Sequence, residues 1–260
     1  MIPTLSIVFM AISALVSIGL PIALGIIWHK RTGAKASSLF IGAAAFVVFA
    51  MILENICHRL VLYGSGSCAA FMQSNLWAYG LYGALAAGVF EETGRLCAFK
   101  LFFKKKDDRC EGVMYGIGHG GVEAVMVSGL TMISYIAISA IINLSGGMAG
   151  IGEDTASVLM TAFTGTNPFM YLVSGIERIM AIAFHISMSV LVFAAVKQKG
   201  RGWYYPLAIG LHALLDLGAM AYQTGMIKSI IAVEGYVLVF TALCVLLAVK
   251  VYSGMTPKPE

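Results

Sequence analysis

The 260-residue chain is 59% hydrophobic and only 12% charged, with a mean hydropathy of +0.87. A soluble domain carries about a quarter charged residues, so this composition excludes one and points to an integral membrane protein. The net charge of +4 is no nucleic-acid footprint, because the basic residues fall in short loops between apolar runs, where they control topology.

Seven apolar runs reach the roughly 20 residues that a helical crossing needs. They are Leu5–Trp28, Leu39–Tyr63, Phe71–Phe103, Gly112–Asn143, Pro168–Val196, Trp203–Tyr222 and Ile230–Val251. The first is too long for a signal-peptide core and follows no basic stretch, so it reads as a retained helix. The third is long enough to tilt or kink; a break near Gly80–Gly83 would give an eighth helical piece. A polar, glycine-rich segment, Leu144–Asn167, separates the fourth and fifth runs, with a short helix expected over Asp154–Phe163 and Asp154 as its cap. The fold class is therefore all-α, a polytopic transmembrane bundle of about seven spans. Residues 1–253 form one domain with its core at about 71–222, and 254–260 are a short polar tail. The five cysteines show no CxxC pairing and read as packing residues.

Loop charge sets orientation. Lys30, Arg31 and Lys35 follow the first run, Lys104, Lys105, Lys106 and Arg109 the third, Lys197, Lys199 and Arg201 the fifth, and Lys250 and Lys258 the seventh. The other connections carry only Lys228. By the positive-inside rule the N-terminus lies outside and the C-terminus in the cytoplasm.

Charge inside the runs is costly and marks function. Glu91-Glu92-Thr93-Gly94-Arg95 puts three charged side chains in the third run. At a rise of ~1.5 Å per residue, Glu91 lies ~18 Å from the cytoplasmic end of its span, Glu123 and His185 ~16 Å, His212 ~13 Å and His119 ~10 Å. Asp216 lies ~19 Å in and Arg95 ~12 Å. Four helices thus deliver ionisable groups to one layer near the midplane and its cytoplasmic side, so depth favours access from the cytoplasm, with a lateral opening between spans as the alternative. His119 and Glu123, His212 and Asp216, and Glu91 and Arg95 are each four apart and share a helix face; the last pair suggests an intrahelical ion pair, with Glu92 turned away. Glycines 118, 120 and 121 clear space around His119 for a backbone, a substrate strand or water. Glu54, His58 and Arg59 read as packing or interface charges outside this layer, and Glu177-Arg178 as a structural pair.

Histidines and carboxylates at one depth suit two chemistries: a carboxylate that activates water as a general base, or a divalent metal such as zinc, with His119, Glu123, His185 and His212 as ligand candidates. Both yield a hydrolytic nucleophile, and both stay open here. A proton- or metal-linked transporter is a rival reading of the same layer, although the chain shows no internal repeat.

In order along the chain, Glu91-Glu92-x-x-Arg95, His119-Gly-Gly-x-Glu123, Phe184-His185 and His212-Ala-Leu-Leu-Asp216 resemble the CPBP superfamily of intramembrane proteases. That group includes the type II CAAX prenyl endopeptidases, the bacteriocin-processing and Abi proteins and the PrsW-like proteases. The likeness is greatest to the YhfC family of intramembrane metalloproteases and spans about Leu81–Ala221. The resemblance implies a peptidase acting on membrane protein or peptide substrates. It gives Glu91 the role of general base and His185 and His212 the positioning of water and the oxyanion, and it also admits a catalytically inactive, Abi-like binding protein. The chain departs from the CAAX-type pattern in three places. Arg95 follows the paired Glu after two residues, the glycine-rich stretch of His119 and Glu123 stands in place of a plain Phe-x-x-x-His motif and leaves the roles of those two residues open, and Asp216 stands where that pattern has Asn.

Overall fold

The computed structural model describes residues 1–104, 108–145 and 153–255, and only the backbone of 145 and 153–156. Among these residues the chain is helical throughout, without strands. Helix α1 is Thr4–Thr32, α2 Ala36–Phe46, α3 Asn55–Val61, α4 Ser67–Ser74, α5 Leu76–Phe102 and α6 Arg109–Ala124. Then come α7 Leu130–Ser145, α8 Glu153–Gly165, α9 Pro168–Lys197, α10 Tyr204–Gln223 and α11 Ile230–Ser253. Two π-helical stretches, Val47–Glu54 and Val125–Gly129, join α2 to α3 and α6 to α7 into continuous rods.

Each of the seven apolar runs contains one long helical rod. Five are both long and apolar enough to cross a membrane: Thr4–Thr32, Ala36–Val61, Arg109–Leu144, Pro168–Lys197 and Ile230–Ser253. The other two, α5 and α10, have 27 and 20 residues. Their lower hydropathy comes from the residues that matter most, Glu91, Glu92 and Arg95 on α5 and His212 and Asp216 on α10.

The break expected near Gly80–Gly83 lies earlier, at Asn75. There the Asn75 side chain accepts the Ala78 amide and caps α5, as a short polar side chain does at a helix start. Gly80 and Gly83 sit inside α5, facing Met220 of α10. The short helix expected at Asp154–Phe163 is α8; the capping side chain proposed for it lies outside the described residues.

Helix α9 is the hub. It packs against α1, α5, α6, α10 and α11, and most of its side chains from Ile182 to Ala194 are buried. Helix α6 lies between α9 and α2, and its glycines explain how closely. A methyl on Gly118 would stand 1.9 Å from the Leu39 carbonyl oxygen, and one on Gly42 2.1 Å from that of Tyr115. On the other face, a methyl on Gly120 would meet Ile182 Cα at 3.1 Å. The bulk missing around His119 is thus filled by the backbones of α2 and α9. Small residues at membrane interfaces permit this approach, and with it the dense packing that holds membrane helices together.

Gly118→Ala must therefore push α2 away. We expect a loss of roughly 1–3 kcal/mol from overpacking, seen as a lower unfolding temperature in detergent. Gly210→Ala, with no atom within 4 Å of the added carbon, should leave that temperature unchanged or raise it slightly.

Candidate functional site

Each site helix presents its polar groups every fourth residue, so each builds a straight stripe. On α5 the stripe is Glu91, Arg95 and Phe99; on α6, Tyr115, His119 and Glu123; on α9, Ala181, His185, Ser189 and Phe193. Where the three stripes meet, Glu91, Glu92, Arg95, His119 and His185 are all buried.

Arg95 lies at the centre and is wholly buried. Its Nη1 donates to Glu92 Oε1, its Nη2 donates to His185 Nδ1 at 2.6 Å, and its Nε donates to Ser189 Oγ at 3.2 Å. The tighter ion pair is thus with Glu92; Glu91 Oε2 stands 3.8 Å from Nη2. The expected Glu91–Arg95 ion pair is present but loose, and Glu92, expected to turn away, is the closer partner; each acid also has a partner on another helix. His119 Nε2 donates to Glu91 Oε2 at 2.8 Å, and His212 Nδ1 donates to Glu92 Oε1 at 2.7 Å.

These bonds fix tautomers. His185 accepts from Arg95 at Nδ1, so its Nε2 carries the proton and lies in ion-pair contact with Glu123 Oε2. Glu123 Oε1 in turn accepts from Arg178 Nη1 at 2.8 Å, and Arg178 Nη2 donates to Glu177 at 2.6 Å. His212 uses Nδ1 on Glu92, which leaves Nε2 toward Glu91 Oε1 at 3.9 Å and Asp216 Oδ2 at 3.6 Å. Nδ1 of His119 is buried with no partner.

Of the eight candidate residues, Glu91, His119 and His185 form the tightest group, each offering one ligand atom within 4.8 Å of the other two. That trio differs from the four ligands expected from sequence. Glu123 reaches the second nitrogen of His185 instead, and His212 is anchored on Glu92. Glu92 and Arg95 lie behind the trio as a buried support. A cavity of about 360 Å³ opens in front of it, walled by Glu91, Glu123, His185, His212 and Asp216.

Other walls of the cavity come from residues read as structural in the sequence. Glu54 and His58 face it from the α2–α3 rod, and Glu177 and Arg178 from α9. His58 Nε2 lies 3.2 Å from Glu54 Oε1, and His58 Nδ1 lies 3.1 Å from the Tyr82 hydroxyl. The four-residue spacing of Glu54 and His58 was a usable signal, the same one that marks His119 and Glu123. Both π-helical stretches also border the cavity, through Ala50, Met51 and Glu54 and through Val127; π turns often occur at functional sites.

The fold and the site define a polytopic helical membrane protein with a buried glutamate–histidine centre. A family model described as YhfC intramembrane metalloprotease matches residues 13–237. The chain is also 40% identical over 251 residues to the "Uncharacterized membrane protein YhfC" of Bacillus subtilis (strain 168), covering 94% of this chain and 96% of that protein. The chain belongs to the YhfC family. No solved structure matches it.

Removing the Arg95 guanidinium strands Glu92 in the bundle. Breaking a buried pair from one side costs about 3–5 kcal/mol, so Arg95→Ala should lower the unfolding temperature sharply in detergent. Adding Glu92→Gln should recover part of that loss, because no unpaired buried charge then remains.

Proposed function

We propose that the chain is an intramembrane metallopeptidase of the bacterial cell membrane, with seven crossings and an outer N-terminus. It would share the CPBP type of site and hydrolyse peptide bonds of membrane-associated substrates. The observation that carries this reading is the convergence of Glu91, His119 and His185, with Glu91 and His185 lining a cavity rich in carboxylates.

The donor set fits a divalent ion such as zinc: two imidazoles and a carboxylate are a common catalytic ligand set, with a further position left for water. To hold a metal ion, His119 Nε2 would give up the proton it shares with Glu91 Oε2, since metal ligands bind deprotonated. Charge balance agrees. Carboxylates of Glu54, Glu91, Glu123, Glu177 and Asp216 line the cavity, and Glu92 lies behind it, against the two guanidinium groups of Arg95 and Arg178. Such an excess in a membrane asks for protons or a bound cation. A bound ion would supply a water acidic enough to attack an amide near neutral pH.

The chain's own residues supply the rest. Glu123, against Nε2 of His185, fixes its ring, the support that metal-binding imidazoles require; Nδ1, which accepts from Arg95 Nη2, would have to leave that guanidinium to hold a metal ion. Glu92 fixes His212 in the tautomer whose unprotonated Nε2 faces the cavity, where it can take a proton from the attacking water and pass that proton to the departing amine. Asp216, 3.6 Å from that nitrogen, keeps the ring turned inward.

Purified protein should carry roughly one zinc-type ion per chain. Glu91→Gln and His119→Ala should each reduce the bound metal and cut peptide hydrolysis at least ~100-fold. His212→Ala should leave metal content unchanged and lower hydrolysis alone. Full activity in metal-depleted Glu91→Gln protein rules the reading out.

A further inference from the structure

The polar layer is closed on one side and open on the other. Toward the basic loops, Phe99 packs on Tyr115 with ring centroids 4.6 Å apart, on Phe103 at 5.0 Å and on Phe193 at 5.2 Å. All four rings are at most 1% exposed. They continue the same four-residue stripes that carry Glu91, His119 and His185, so the plug lies directly beneath the site. Sequence depth alone had suggested entry from this side; depth measures how far a group lies from an end, and not whether the path to that end is filled.

In the other direction the 360 Å³ cavity meets a second one of about 320 Å³. Glu54, His58, Asp216 and Ala219 line both and form the throat between them. The outer cavity reaches Tyr63 and Gln223, beside the connections that carry almost no Lys or Arg.

Resting on the peptidase reading above, we propose that the polypeptide segment cut at this centre reaches it from the face opposite the basic loops, through the throat of Glu54, His58, Asp216 and Ala219. The substrate class is then a membrane-associated polypeptide whose scissile segment lies toward the outer face and is extended, since a helical backbone engages its carbonyls in its own hydrogen bonds. The polar throat suits such a segment, because unpaired backbone groups at membrane depth need polar partners or water.

The test uses three full-length single-cysteine proteins. One keeps native Cys68, exposed on α4; one carries Ala219→Cys in the throat; one carries Lys199→Cys in a basic loop. Each is reconstituted in sealed vesicles and treated with a charged, membrane-impermeant maleimide on one side at a time. Ala219→Cys should label from the same side as Cys68 and from the side opposite Lys199→Cys. Labelling from the Lys199 side, or only after unfolding in detergent, overturns the proposal. In the otherwise unchanged protein, Ala219→Trp should fill the throat and lower substrate hydrolysis at least tenfold with bound metal unchanged; undiminished hydrolysis also overturns it. Loss of the peptidase reading shows separately, as an absence of cleavage by the unmodified protein, while the labelling still reports which side is open.

Discussion

One buried guanidinium organises the centre of this bundle. A charged group at bilayer depth is tolerated only when its donors are satisfied, and Arg95 distributes its donors to Glu92 on its own helix and to His185 and Ser189 on α9. Glu92 then takes a second bond from His212 on α10. A single side chain thereby sets the relative height of three helices and the ring orientation of two histidines. Planar forked donors suit this task, and a lysine in the same place would supply one compact ammonium.

The glycines perform the complementary work. Polar bonds act only when helices come close enough, and α6 approaches α2 and α9 to backbone contact because Gly42, Gly118 and Gly120 carry no side chain. His119 stands in the middle of that glycine-rich turn, so its position is set by backbone against backbone, with little side-chain play. The polar centre and the tight frame are thus two parts of one arrangement, with α9 common to both.

Much of this was legible in the sequence because bilayer physics simplifies the problem. Apolar length gave the long helices, and the rise per residue placed Glu91, His119, Glu123, His185, His212 and Asp216 in one layer. Pairings within the layer were less accessible. Glu91 and Glu92 stand at four and three residues from Arg95, and both spacings allow contact; the choice is made by His119 and His212, which arrive from other helices. Cavity walls were harder still. Glu54, His58, Glu177 and Arg178 lie nearer the ends of their spans opposite the basic loops, and nothing in the local pattern tells a group facing a void from one facing a neighbour. The plug of Phe99, Phe103, Tyr115 and Phe193 is invisible in composition, since each is an ordinary apolar residue until the stripes are aligned.

The π-helical stretch Val47–Glu54 has a consequence for how this rod tolerates change in length. A π turn accommodates more residues per turn than an α turn, and such bulges represent surplus residues within a helix. In an α-helix each residue added or removed turns everything beyond it by about 100°. A π turn can instead tighten to an α turn and absorb a lost residue, so shortening Val47–Glu54 by one should leave Glu54 and His58, at and just past its end, close to their present directions. The stretch is a length buffer for this wall of the site, and a single-codon deletion inside it is a milder lesion than one in the α-helical turns on either side.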